Sequence, residues 1–167
     1  MSSRYFGVTT IVSGGQTGAD QGALCGAQEL GLPTGGWVPK GRLCEDGVIP
    51  SRFEGLREAD SPAPAVRTEL NVRDSDATLI LTRGQPTGGT ALTKKLAQQM
   101  GKPFLVLDIL ELSMEAAKAE LRAWLVSNRP HILNIAGPRA SKDPEIEKDT
   151  RQILVDVLSR SGEEHAV

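Results

Sequence analysis

The run Ala77-Thr78-Leu79-Ile80-Leu81-Thr82 shows no alternation of polar and apolar residues. A strand of that composition hides both faces, so it belongs in the middle of a parallel sheet with helices on both sides. Four further β-like runs fall at residues 8–13, 33–38, 104–107 and 131–136. Helical patterns separate them. Ala19, Ala23, Ala27 and Leu30 share one face, closed by Gly31 and Pro33. Gly22 and Gly26 are costly inside that helix, and a close helix–sheet approach would compensate. Residues 66–73 read as a short helix, and Leu92, Leu96 and Met100 mark the next. Ser113 caps a helix carrying Ala117, Leu121, Trp124 and Leu125. Asp143-Pro144-Glu145 opens the last, whose stripe is Ile146, Ile153, Leu154, Val157 and Leu158. Such alternation predicts an α/β three-layer sandwich, with a five-stranded, mostly parallel sheet and helices on both faces.

A length of 167 residues suits one domain over 1–167, with its core at about 8–160, a long functional loop at about 39–64 and a frayed tail at 161–167. With 19 Lys and Arg against 21 Asp and Glu, the net charge is −2, which argues against a nucleic-acid binder. Aromatic residues at 4% argue against a base-stacking single-strand binder. No apolar run suits a membrane span and no signal peptide is expected, so the chain reads as cytoplasmic. Two cysteines, Cys25 and Cys44, without a CxxC exclude a disulfide scaffold or a thiolate-only zinc site, and no metal ligand set is expected.

Ligands of parallel α/β sheets sit beyond the carboxyl ends of the strands, where strand order reverses. The first strand runs into Ser13-Gly14-Gly15-Gln16-Thr17-Gly18-Ala19-Asp20-Gln21. Glycines there allow a sharp turn and bring N–H groups to an anion, and the following helix adds the positive end of its dipole. The spacing is neither GxGxxG nor a Walker A loop. A turn that needs glycine for its geometry alone is the plain alternative. The third strand runs into a second such loop, Arg83-Gly84-Gln85-Pro86-Thr87-Gly88-Gly89-Thr90, and the fifth into Gly137-Pro138-Arg139-Ala140-Ser141-Lys142. Three strand ends with this chemistry point to a small anionic ligand, phosphorylated or otherwise.

Other residues leave alternatives open. Lys40 and Arg42 either reach an anion or lie on a solvated loop, and Trp37 either packs or stacks on a ring. Asp20, in the first turn of a helix, suits the dipole. Beside a phosphate it would need a sugar hydroxyl, an amino group or Mg²⁺. Glu69 and Asp74 are the candidates for acid/base chemistry, although Asp74 and Asp76 also suit a turn. His131 begins a strand and His165 lies in the tail, so neither is placed for catalysis.

The segments Ser13 through Ala23, Gly36-Trp37-Val38-Pro39-Lys40-Gly41-Arg42, Glu45-Asp46-Gly47, Thr68 through Asp76, Thr87-Gly88-Gly89-Thr90 and Ala136-Gly137-Pro138-Arg139 together resemble the molybdenum-carrier family. That family looks like a circularly permuted branch of the SLOG group of Rossmann-like proteins. The resemblance implies the strand order 2-1-5-3-4, which sets the loops after strands one, three and five side by side. It also implies binding of the molybdenum cofactor, a pterin that carries a phosphate and a dithiolene-bound metal. The binding set would be Gly14, Gly15, Gln16, Thr17, Gly18, Asp20, Thr87, Gly88, Gly89 and Thr90. Lys40, Arg42 and Arg139 would balance charge, and the protein itself would not ligate molybdenum. A homo-oligomer (dimer or tetramer) and a transient molybdoenzyme partner are further implications. The LOG enzymes of the wider group release a base from a nucleoside monophosphate. Their loop is followed by a glutamate, whereas Thr93 and Lys94 follow it here. The leading expectation is a non-enzymatic carrier of a phosphorylated heterocycle. The alternatives are a nucleotide-processing enzyme using Glu69 or Asp74, with Asp20 able to hold Mg²⁺, and a nucleotide sensor.

Overall fold

Eight strands and five helices follow one another along residues 4–159, the part of the chain that the computed structural model describes. The strands are β1 (Thr10–Val12), β2 (Thr34–Val38), β3 (Leu43–Cys44), β4 (Gly47–Val48), β5 (Leu56–Glu58), β6 (Ala77–Thr82), β7 (Phe104–Asp108) and β8 (Ile132–Ala136). The helices are α1 (Ala19–Leu30), α2 (Pro64–Arg73), α3 (Gly88–Gln99), α4 (Met114–Asn128) and α5 (Ile146–Leu158). The expected fraying of 161–167 and the position of His165 lie outside the described residues.

Six strands build one sheet in the order β5-β2-β1-β8-β6-β7, and every pairing in it is parallel. The expectation of a five-stranded sheet is therefore corrected: a sixth strand, β5, lies outside β2 and extends the order at that edge, while the five expected strands keep the relative order 2-1-5-3-4. Leu56-Arg57-Glu58 has one half-buried apolar residue and two exposed charged ones. It is a strand through its backbone ladder to Gly36, Trp37 and Val38 alone, with no hydrophobic pattern to announce it. β3 and β4 form a separate antiparallel hairpin within the long loop.

Right-handed crossovers place helices according to the direction each connection takes. The β1–α1–β2 and β6–α3–β7 units step in opposite directions across the sheet. Accordingly α1 packs with α5 and α5 with α4, while α2 packs with α3. All six residues of β6 are buried, as a central strand requires. The main core gathers Ile11, Leu79, Leu81, Leu107 and Leu133 from the sheet with Ala23, Leu121, Leu125, Ile153 and Leu154 from the helices. A smaller cluster of Leu24, Val38, Ile49 and Phe53 pins the long loop to α1.

Two details depart from the sequence pattern. The glycine in mid-α1 serves a close approach between helices: a Cβ on Gly22 would overlap the backbone of Glu147 at the start of α5. In α3 the buried face is Thr90, Thr93 and Ala97, with Leu92, Leu96 and Met100 only half covered. No helix among the described residues is long and apolar enough to cross a membrane.

Candidate functional site

Between β1, which connects toward β2, and β6, which connects toward β7, the strand order reverses around β8. A cleft of about 680 Å³ opens there at the carboxyl ends of these strands. That volume suits a nucleotide-sized ligand. Its walls come from the loops after β1, β6 and β8, from α2, and from the first turns of α1 and α3.

Of the residues singled out from the sequence, Gly14, Gln16, Asp20, Thr87, Gly89, Thr90 and Arg139 line the cleft. Gly15, Thr17, Gly18, Gly88, Lys40, Arg42, Glu69 and Asp74 are not among its lining residues. The two glycine loops prove to be unlike each other.

The loop after β1 spends its polar groups on the protein. Gly15 has a φ of +73°, and a Cβ there would run into Ile49 and Val38 of the smaller core. The Gly15 carbonyl accepts from Gln21 Nε2 at 3.0 Å. A Cβ on Gly18 would overlap the Pro138 carbonyl, and the first amide of α1, on Ala19, donates to that same carbonyl at 3.1 Å. Gln16 N–H donates to Asp20 Oδ2 at 3.2 Å. The Gln16 carboxamide oxygen accepts the amides of Thr17 at 3.0 Å and Glu45 at 2.8 Å. This loop is a structural joint, with Gly14, Gln16 and Asp20 as its cleft-facing side.

The loop after β6 is open. Thr87 makes no side-chain cap hydrogen bond at the start of α3, and nothing stands within 4 Å of where a Cβ on Gly89 would lie. Helix N-termini of this kind present amide donors and a positive dipole end to an anion. Lys142, from the segment after β8, reaches over this turn and donates to Thr87 Oγ1 at 3.4 Å. Arg83 lines the same end, held by Asp143 at 2.9 Å and Asp149 at 2.6 Å.

Three further buried polar residues line the cleft: Asn71, within the segment Thr68 to Asp76, and Arg67 and Asn134, which belong to no motif. Arg67 of α2 is 9% exposed and Asn71 4%, and Asn134 of β8 lies on the floor at 2%. Arg67 donates through Nε to the Pro64 carbonyl at 3.1 Å and through Nη1 to the Gly14 carbonyl, tying α2 to the loop after β1. Asp20 lies 3.9 Å from Arg67 Nη1. Burial pushes the Asp20 carboxyl up to about 6, against the lowering pull of Arg67 and nearby backbone amides. The only sequence signals for Arg67 and Asn134 were polar residues inside a short helix and an apolar strand.

Glu45, at the tip of the β3–β4 hairpin, clasps two of the loops. Its carboxylate accepts from Thr17 Oγ1, from Ser141 N at 3.0 Å and from Ser141 Oγ at 2.7 Å, with Arg139 Nε at 3.6 Å. Those hydrogen bonds hold its carboxyl below the usual range. Arg42, at the base of the same hairpin, donates to the Pro50 carbonyl at 3.2 Å, and Lys40 is exposed. Trp37 packs under Arg57 at 4.2 Å and donates through Nε1 to Asp74 Oδ2 at 2.9 Å, in a separate recess of about 140 Å³. Asp74 is also paired with Arg73 at 2.7 Å, which lowers its carboxyl to about 2. Glu69 is exposed on α2. Asp76 accepts the amides of His131 and Ile132 at 3.0 and 2.8 Å, and so anchors the start of β8. Among the described residues no group of three or more His, Cys, Asp or Glu side chains could hold a metal ion.

A parallel sheet whose strand order reverses beside a polar cleft defines a Rossmann-like α/β protein. The chain belongs to the circularly permutated YpsA SLOG family, whose model matches residues 11–158. It is also similar to a solved structure from Syntrophus aciditrophicus SB described as "Putative molybdenum carrier protein". The two chains are 48% identical, with 92% of this chain and 96% of that one covered, at a TM-score of 0.87. No curated protein matches the chain.

Proposed function

We propose that this chain binds and carries a phosphorylated heterocycle, with the molybdenum cofactor as the candidate cargo. The observation that carries the reading is the open N-terminal turn of α3, where Gly89 leaves room for an oxyanion and Lys142 stands alongside. Thr87, Gly88, Gly89 and Thr90 would hold the phosphate through backbone and hydroxyl donors, and Lys142, Arg83 and Arg139 would balance its charge. Gly14, Gln16 and Asp20 would line the far wall. Gly15, Thr17 and Gly18 would act from behind by fixing that wall, and Lys40 and Arg42 by keeping the hairpin in place.

The donor set fits such a cargo. It is rich in N–H and hydroxyl groups, and neither cysteine is among the lining residues, so the protein would grip the pterin phosphate and leave the metal to its dithiolene. The name of the Syntrophus relative supports this choice of cargo. Carriage implies release, so a homo-oligomer that meets a molybdoenzyme transiently is part of the proposal.

The test is the mass of the small molecule released when freshly purified protein is denatured, measured together with molybdenum and phosphorus. A pterin phosphate, with or without metal, is expected. Preparations that release no phosphorylated compound, and that fail to take up pyrophosphate, would overturn the reading. A bound nucleotide that is consumed on incubation would move the protein to the nucleotide-processing class.

A further inference from the structure

Asp20 raises a question that an anion site alone does not answer. A buried carboxylate in a cleft built for an anion repels its ligand unless the ligand brings hydrogen-bond donors to it. The geometry around it shows what kind of donor group fits. Asp20 and Arg67 stand on adjoining walls of the cleft, 6% and 9% exposed. They do not close on each other: Arg67 Nη1 is 3.9 Å from Asp20 Oδ2, beyond hydrogen-bond reach. Arg67 is steered instead by its bonds to the Gly14 and Pro64 carbonyls and to Thr68 Oγ1. Its Nη2 has no protein acceptor among the described residues. Asp20 is fixed through the Gln16 amide, and no side chain donates to its carboxylate within hydrogen-bond distance. The pair is thus a fixed donor beside a fixed, charged acceptor, both turned to the cleft.

We propose that Arg67 and Asp20 read the lactam edge of the ligand's ring. Arg67 donates to the ring carbonyl, and Asp20 accepts from the adjacent ring N–H and exocyclic amino group. This rests on the phosphorylated-heterocycle reading above and narrows it to guanine-type and pterin-type rings. A carboxylate accepts two parallel N–H donors at once. An adenine-type edge brings one amino group beside a ring acceptor, so one carboxylate oxygen would face a lone pair. A sugar diol can also donate to the carboxylate and accept from Arg67, but it is common to all three nucleotides compared below and would give no preference among their bases. A divalent ion would need further ligands, and the described residues hold no acidic cluster to supply them.

The test compares equilibrium binding of guanosine, inosine and adenosine monophosphates, with pyrophosphate as a probe of the phosphate end alone. Guanosine monophosphate is expected to bind at least about tenfold more tightly than adenosine monophosphate, with inosine monophosphate between them because it lacks the amino group. The nearly isosteric Asp20→Asn should reduce that preference to about threefold or less, with pyrophosphate bound at least as tightly as before, because a negative charge leaves the cleft. The guanosine preference should also weaken below ~pH 6, as the carboxyl takes up its proton, while pyrophosphate binding does not follow that trend. Equal binding of the adenine and guanine compounds by the unaltered protein, or a preference that survives Asp20→Asn, overturns the lactam reading and leaves the phosphate site standing. Failure of pyrophosphate and of all three nucleotides to bind removes both.

Discussion

Gly15 and Gly89 occupy matching places in two glycine-rich turns, yet a side chain would meet opposite surroundings at each. A Cβ at Gly89 enters open cleft, whereas one at Gly15 meets Ile49 and Val38 with φ at +73°. Gly89→Val is expected to abolish pyrophosphate binding and leave the melting temperature within about 2 °C of the parent. Gly15→Val should lower stability by about 2 kcal/mol or more, through backbone strain and overpacking together. Thermal melts beside binding isotherms separate the two, and a Gly89→Val protein that still binds would place the anion elsewhere. Asp20 carries a second residue-scale expectation. Its folded-state carboxyl, at about 6, lies above the ordinary value of 3.8, so the folded protein holds this proton more tightly than the unfolded chain does. The ligand-free fold therefore loses stability as pH rises through ~4 to ~6, and beyond that carries the full cost of a buried charge. Asp20→Asn removes the cost. It should raise the melting temperature by about 2–5 °C at ~pH 8 and by little below ~pH 4. A lower melting temperature at ~pH 8 would mean that the charge is stabilising where it stands.

Among the elements, the β3–β4 hairpin is held to the cleft rim chiefly through Glu45, which engages Thr17, Ser141 and Arg139. The hairpin is short and its Leu43 and Val48 are exposed, so beyond these side-chain contacts its tip is held mainly by the Glu45 amide, which donates to the Gln16 carboxamide oxygen at 2.8 Å. Glu45→Ala is predicted to speed amide hydrogen exchange over residues 42–48 about tenfold or more, with global stability nearly unchanged. Unaltered exchange there would show that the smaller core and the Gln16 bond to the residue-45 amide suffice to position the hairpin. The sequence made this region readable as a loop and no further, because its order comes from single long-range contacts and not from a periodic pattern. The same limit hid β5, whose strand character is entirely backbone pairing with β2. By contrast β6, α1 with its left-handed Gly31 cap, and α4 with its Ser113 cap follow signals contained within each segment. The α3 stripe was misjudged because Thr90 and Thr93, polar by type, turn inward to form the cleft wall and pack beside α2.

At the scale of the whole molecule, the place of the site was legible before its chemistry was. Glycine-rich turns after β1 and β6 pointed to the carboxyl edge of the sheet, and the cleft lies there at the switch point. The cationic end drew on residues seen as loop chemistry, Arg83 and Lys142. The opposite wall did not, since Arg67 and Asn134 gain their roles only when α2 and β8 are brought to β1. That arrangement has a consequence for the chain as it is made. β1 and β6 flank β8, and β8 is the last strand in chain order among the described residues. On the ribosome the other five strands of the main sheet emerge first, as the half-sheets β5-β2-β1 and β6-β7 with a missing middle, each exposing an inner edge that nothing yet fills. The closing strand brings with it the floor of the cleft, so the binding site and the continuous sheet come into being in one late event. A nascent chain of this protein carries open strand edges for most of its synthesis, and a chaperone that shields such edges would act on it before the ligand can.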